Sequence, residues 1–233
     1  LIRVASTLAA LGALAAAHRR RFAIPLVGVT GSYGKTTTRA CIAAALSAKY
    51  SVLSSQANFN NEIGVPQTLL QLDETHGAAV IEMAMRGSGQ IEYLAEMAQP
   101  NVAVITNIGP QHVELLGGID NIARAKAEIL RFLPADGVAI LSADDEYLDF
   151  FTDQVKGGTI LRFGENPSAE FHVGDIHTES NGHIRFDLTC YSDASHHAET
   201  HHVRLPLPGA HNARNAAAAL AVAASLDVPL KNA

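Results

Sequence analysis

The sequence predicts an α/β fold, a mostly parallel sheet with helices on both faces plus a small antiparallel β subdomain. Short apolar strands alternate with helix-length stretches from Ala23 to Phe163, which is the rhythm of a parallel sheet whose crossovers are helices. A glycine-rich turn from Gly28 to Gly34 joins the first strand to the helix that follows, as in P-loop sheets, where ligands sit outside the carboxyl ends of the strands. Between Phe171 and Leu207 the period changes to alternation around turn residues, the pattern of antiparallel hairpins.

Leu1 to Ala17 is nearly all apolar, but Arg3, Ser6 and Thr7 interrupt it and the run falls short of the roughly 20 residues that span a bilayer. The basic cluster His18-Arg19-Arg20-Arg21 follows the apolar run, whereas a secretory signal places its cations first. A soluble helix is expected, with those cations at the negative end of its dipole. Strands are expected at Ile24 to Val29, Ser51 to Ser54, Ala78 to Glu82, Val102 to Thr106, Val138 to Ser142 and Thr159 to Phe163. Helices are expected between them at Thr36 to Ala48, Val65 to Leu72, Gln90 to Ala98, Ile119 to Phe132 and Glu146 to Val155. His183 to Thr189 and His202 to Leu205 alternate, with a turn signal at Ser180-Asn181-Gly182. After Pro208-Gly209 the Ala-rich stretch His211 to Leu226 reads as a last helix.

Composition narrows the function. The 233 residues carry a net charge of −6 without a long basic block, so nothing marks a nucleic-acid surface, and no segment marks a membrane protein. Cys41 and Cys190 lie far apart, which suits reduced thiols in a cytoplasmic protein. Seven of the eleven histidines fall in the hairpin region, at His172, His177, His183, His196, His197, His201 and His202. A metal site there is one reading, and solvated strand faces are the other.

The loop Gly28-Val29-Thr30-Gly31-Ser32-Tyr33-Gly34-Lys35-Thr36-Thr37-Thr38 carries the strongest chemical signal. Glycines at 31 and 34 let the backbone approach an anion, successive N–H groups and the helix start point at it, and Lys35 adds a full charge. Thr36 offers a hydroxyl to magnesium. The first glycine stands one position earlier than the common G-x-x-x-x-G-K-[ST] spacing, which argues against an ordinary GTPase or transport ATPase. The expected ligand is ATP with Mg2+.

Later strand ends hold polar loops: Asn58-Phe59-Asn60-Asn61-Glu62, Glu82-Met83-Ala84-Met85-Arg86-Gly87, and Thr106-Asn107-Ile108-Gly109-Pro110-Gln111-His112. Asn amides hold phosphate or carboxylate oxygens without adding charge, and a carboxylate ending an apolar strand is placed for magnesium. Each also has an ordinary use, the asparagines as turns and caps, Glu82 as a helix cap and His112 as a packed loop residue.

Together these segments resemble the Mur ligase family of ATP-dependent amide-forming enzymes, closest to its MurF branch, along nearly the whole chain. The family's short T-G-x-x-G-K-T-T loop matches the shifted glycine. Asn58 to Pro66, Glu82 to Gly87, Asn107 to Gly109, His112, Glu114 to Gly117, Ile122 to Ile129 and Leu207 to Asn215 follow in the branch's order, with Ala84 and Gln90 departing from its glycine and glutamate.

The resemblance implies a cytoplasmic, monomeric enzyme that joins D-alanyl-D-alanine to UDP-N-acetylmuramoyl-tripeptide through an acyl phosphate. It implies nucleotide binding by Gly31, Ser32, Tyr33, Gly34, Lys35, Thr36, Thr37, Asn107, Asn212 and Asn215, and substrate contacts by Asn58, Asn60, Asn61 and Arg86. Thr36, Glu82 and His112 would hold magnesium, and Lys35, His112 and Lys126 would serve catalysis. Lys126 matches a lysine that relatives carboxylate into a magnesium-facing carbamate; an ordinary pairing with Glu128 is equally open. Residues 1–21 would be the tail of a preceding domain and its linker helix, and 22–233 the central ATP-binding domain with a hairpin subdomain at about 165–207. A C-terminal ligase domain would be absent, leaving a chain that is inactive alone. A folylpolyglutamate or cyanophycin synthetase-like ligase, or a non-catalytic nucleotide-binding module, are the alternatives.

Overall fold

The computed structural model describes residues 3–111, 113–191 and 198–233. Nine strands form one sheet in the order β2-β3-β1-β4-β5-β6-β7-β8-β9. These are β1 (Leu26–Thr30), β2 (Val52–Ser54), β3 (Ala78–Glu82), β4 (Val102–Ile105), β5 (Val138–Ser142), β6 (Thr159–Gly164), β7 (Phe171–Thr178), β8 (Ile184–Tyr191) and β9 (Ala198–Leu205). Pairing is parallel from β2 through β7, then antiparallel across β8 and β9. The hairpin region is therefore an extension of the main sheet rather than a separate sheet. Phe163 and Gly164 of β6 pair with Phe171 and His172 of β7, across a six-residue link of turns that contains no helix.

The helices are α1 (Thr7–Arg19), α2 (Lys35–Leu46), α3 (Gly64–Leu69), α4 (Gln90–Ala98), α5 (Val113–Leu116), α6 (Ile119–Ala127), α7 (Leu148–Gln154) and α8 (His211–Ser225). Strands β1, β3 and β4 are buried on both faces, so they read as continuous apolar runs. One core packs Leu26, Ile81 and Ile105 against α1, α3, α4 and α6. The other packs Val27, Val80 and Val104 against α2 and α8. Alanines along α8, from Ala213 to Ala223, let it lie close on α2 and on β5 to β7.

One expected helix ends early and another starts late, each for an identifiable reason. The stretch from Ile119 is α-helical only to Ala127, and Glu128–Phe132 tightens into a 3-10 segment. The buried Glu128 carboxylate is drawn to the start of α4, where it accepts from Ser88 Oγ (3.2 Å), Gly89 N (2.8 Å) and Glu92 N (3.0 Å). The helix expected from Glu146 starts at Leu148, because Asp145 accepts the Tyr147 N–H at 2.9 Å and holds that turn open.

Helix α1 is 13 residues long, and among the described residues no helix is long and apolar enough to cross a membrane. Its cations do more than meet their own helix dipole. Arg19, only 7% exposed, donates to Ala98 O at the end of α4 (3.0 Å), to Phe22 O (2.6 Å) and to Ile24 O (3.1 Å). Truncating it leaves three carbonyls short of a donor, so Arg19→Ala is expected to lower unfolding free energy by about 2–4 kcal/mol. Urea denaturation followed by far-ultraviolet dichroism measures this, and a loss below about 1 kcal/mol would contradict the latch.

On the outer face of the hairpin strands His202 Nδ1 meets Asp187 at 2.6 Å and His177 Nε2 meets Asp175 at 2.9 Å. Among the described residues no group of three or more His, Cys, Asp or Glu is placed to hold a metal ion; His196 and His197 lie outside the described residues.

Candidate functional site

Strands β1, β3 and β4 end level, with Val29 beside Glu82 and Thr30 beside Ile105. In the sheet order β1 lies between β3 and β4, so successive crossovers leave in opposite directions and open a crevice at these ends. The glycine-rich loop fills its floor. Gly34 caps α2 at φ +79° and Gly31 lies at φ +140°, both in the left-handed region that favours glycine. A methyl group at Gly31 would strike Thr106 Oγ1, and one at Gly34 would strike Asn215 Oδ1.

The loop is fixed from below. Ser32 N donates to Asn107 O at 2.8 Å, and the Ser32 hydroxyl bridges to Gly109. Asn107 clasps the Tyr33 peptide from both sides, its Oδ1 accepting from Tyr33 N at 3.0 Å and its Nδ2 donating to Tyr33 O at 3.1 Å. Thr106 Oγ1 donates to the same Tyr33 carbonyl at 2.7 Å.

A cleft of about 430 Å³ opens above, lined by Ser32 to Thr37, Asn60, Glu82, Ala84, Met85, Gln111 and Lys126. Two ammonium groups converge in it. Lys35 Nζ donates to Gly31 O (2.9 Å) and Ser32 O (3.0 Å), and Lys126 Nζ donates to the same Gly31 O at 2.8 Å. Among the described residues neither has a carboxylate within ion-pair distance. Burial lowers the Lys35 pKa, with Glu82 pulling the other way. Burial, and then the charge of Lys35, bring Lys126 down from 10.5 to about 7. Glu128 does not pair with Lys126, since its carboxylate is spent on the start of α4.

Opposite the lysines, Glu82 is 1% exposed and fully engaged. Its Oε2 accepts from Thr36 Oγ1 at 2.9 Å and its Oε1 from Asn60 Nδ2 at 2.9 Å. It ends a strand and caps no helix. Hydroxyl and carboxylate oxygens beside a cationic cleft fit magnesium, which keeps several waters and takes one or two protein oxygens plus phosphate.

A second cleft of about 560 Å³ shares Tyr33 and Gly34 with the first and runs along Asn107, Gly109, Asp145, Tyr147, Arg214 and Asn215. Asn215 lines it while its Oδ1 accepts from Thr38 Oγ1 at 3.2 Å, which docks α8 on α2. Asn212 stands on the same face of α8 but does not line the cleft. It accepts from Asn215 Nδ2 at 2.9 Å and donates to Pro208 O at 2.7 Å.

Of the loop asparagines only Asn60 reaches the first cleft. Asn61 turns back to accept from Ile63 N and Gly64 N at the start of α3, and Asn58 is exposed. Arg86 is exposed, its N–H held by Gln90 Oε1 at 2.6 Å. His112 lies outside the described residues.

Sequence reasoning missed Arg39, Asp145 and Gln111. Arg39 follows Lys35 by four residues on one helix, a spacing that places it on the same face. Asp145 follows a strand end, where acids are functional candidates, and it accepts Ile108 N at 2.6 Å.

A family model described as the Mur ligase middle domain matches residues 29–223. The chain belongs to the Mur ligase family. A UDP-N-acetylmuramoyl-tripeptide--D-alanyl-D-alanine ligase of Synechocystis is 43% identical over 223 residues, 96% of this Mur ligase chain and 45% of the relative. Among solved structures, a MurF from Acinetobacter baumannii superposes with a TM-score of 0.91 at 37% identity, covering 99% of this chain and 49% of that one. A MurF ligase from Thermotoga maritima in complex with ADP gives 0.85 at 28% identity, covering 99% and 52%. The chain thus spans about half the length of the Mur ligases it matches.

Proposed function

We propose that this chain is the central ATP-binding domain of a MurF-type ligase that joins D-alanyl-D-alanine to UDP-N-acetylmuramoyl-tripeptide in the cytoplasm. The reading rests on one observation above the others: Lys35 and Lys126 meet on a single carbonyl, without carboxylate partners among the described residues, facing a hydroxyl–carboxylate pair. Such a site is prepared for a polyanion and a hard cation. The name of the Synechocystis relative supplies the substrates, and the ADP complex of the Thermotoga ligase supports the nucleotide.

In this reading the tripeptide carboxylate attacks the γ-phosphorus, ADP leaves and an acyl phosphate remains. The amine of D-alanyl-D-alanine then adds to the acyl carbon, and phosphate departs as the amine loses its proton. Both partners of the first step are anions, so the protein's contribution is charge neutralisation and alignment. Lys35 leaves its two carbonyls to hold the β- and γ-phosphates, and Gly31 to Thr37 cradle them with backbone N–H groups. Thr36 and Glu82, with His112, would hold magnesium, which supplies charge neutralisation at the phosphates. Asn107 and Asn215 fix the nucleoside side, and Asn212 acts there through Asn215.

Asn60 links the substrate loop to Glu82, while Asn58, Asn61 and Arg86 contribute through that loop's shape and outer rim. Lys126, with a pKa of about 7, keeps a large neutral fraction at physiological pH. A neutral amine can add carbon dioxide with loss of a proton, and the resulting carbamate would offer anionic oxygens to magnesium; this favours the carbamate over a pairing with Glu128.

Ligation is a property of the longer, monomeric enzyme, whose flanking domains would supply the uridine-nucleotide grip and the closing lid. The test replaces the matching 223-residue region of the Synechocystis relative with this chain. ADP release that requires both peptide substrates supports the reading. A soluble, folded chimera that binds nucleotide yet releases no ADP even with both substrates present would favour a non-catalytic module, and ADP release driven by a glutamyl substrate would favour the folylpolyglutamate-like alternative.

A further inference from the structure

We infer that Arg39 is a positioning residue that holds the Glu82 carboxylate toward Thr36 by charge, and this rests on Glu82 being the magnesium ligand proposed above. Arg39 lies three residues after Thr36 on α2, on the same helical face. Its Nη1 is anchored at the end of β2, donating to Ser54 Oγ at 3.1 Å and to Ser55 O. Its Nε is buried, has no hydrogen-bond partner among the described residues and stands 3.6 Å from Glu82 Oε2. That separation is too long for a hydrogen bond, so the contact is one of charge.

The two side chains are 12% and 2% exposed, and water screens the contact little. Among the described residues Arg39 is the sole cation within ion-pair distance of this carboxylate, and its other partners, Thr36 and Asn60, are neutral. A buried carboxylate without a cation is costly and turns outward to water when it can. Ser55 closes the arrangement, since its hydroxyl accepts the Glu82 N–H at 3.2 Å while its carbonyl holds Arg39. The loop carrying Asn60, the strand carrying Glu82 and the helix carrying Thr36 are thus gathered around one guanidinium. Arg39 does not itself line the cleft, so it acts on the site through Glu82, which does.

The test is Mn2+ titration, followed by electron paramagnetic resonance, of this chain saturated with ADP, beside ADP titration without metal. Arg39→Gln is expected to weaken Mn2+ binding about tenfold, the loss usual for a residue that orients a metal ligand. Metal-free ADP affinity should stay within about twofold, because Lys35 and the glycine loop are untouched. Arg39→Lys keeps the charge and should recover Mn2+ affinity to within about threefold, even where its thermal midpoint falls.

Unchanged Mn2+ binding in Arg39→Gln, or an equal loss of metal-free ADP binding, overturns the inference, the second result marking a purely structural role. If Arg39→Gln does not fold, Arg39→Lys decides alone, and a tenfold loss there overturns it. Glu82→Gln is the control on the underlying reading. If it binds Mn2+ like the unaltered chain, the metal site itself is misplaced, a failure distinct from any result at Arg39.

Discussion

Lys35→Ala is expected to weaken binding of a nonhydrolysable ATP analogue with Mg2+ by at least about 100-fold in calorimetric titration. An ammonium–phosphate hydrogen bond contributes about 1.5–3 kcal/mol, and each 1.4 kcal/mol is tenfold in affinity. Lys35 has two such bonds to offer, since it now donates to the Gly31 and Ser32 carbonyls, which it exchanges for stronger anionic acceptors. Folding should survive the change, because Lys126 still donates to Gly31 O. Lys35→Arg should not rescue, as a planar fork does not fit where an ammonium sits between two carbonyls of a tight turn. Equal affinity in Lys35→Ala and the unaltered chain would remove the phosphate site from this loop.

The second large effect is a pH dependence of stability centred on Lys126. Its pKa is 10.5 in the unfolded chain and about 7 in the folded one. Between those values the unfolded chain carries a proton that the folded chain does not, so stability must rise with pH through this window. Integrating one such group from pH 7 to pH 9 gives about 2 kcal/mol. Below pH 7 the folded state must bury a charged ammonium as well, and the slope fades. Lys126→Met retains the stem and removes the titration, so the unaltered chain should gain about 2 kcal/mol relative to it over the same range. Urea denaturation at a series of pH values measures the difference, and parallel profiles for the two proteins would refute a neutral buried amine. Added bicarbonate supplies a second comparison: stabilisation of the unaltered chain but not of Lys126→Met is what a carbamate requires.

The parts of this molecule that could be read in advance are those whose determinants are local. The strand, the two glycines, Lys35 and Thr36 lie within a dozen residues, and their geometry follows from turn and helix rules alone. The β1 to β6 rhythm was legible for the same reason, most plainly at β1, β3 and β4, which are buried on both faces. What escaped is long-range or aperiodic. Lys126 and Gly31 are 95 residues apart, and only the packing of α6 beneath the loop brings them together. Asn60 and Asn61 are neighbours of one type in a loop without a period, yet one faces Glu82 and the other caps α3. Helical spacing put Asn212 and Asn215 on one face, but it could not show that Asn212 spends its amide on Pro208 and Asn215. The join between β6 and β7 was hidden because alternation reports an antiparallel neighbour and is silent about a parallel one on the other side.

Asn107 and Thr106 grip the Tyr33 peptide, and Tyr33 with Gly34 forms the partition between the two clefts. Thr38 and Asn215 tie the helices on either side of that partition. The separation of the two compartments is therefore set by these backbone and inter-helix contacts. In the proposed reading the domain would work as a gauge: a ligand seated against α8 would present its far end to Lys35 and Glu82 only when its own length matched a span set by the scaffold.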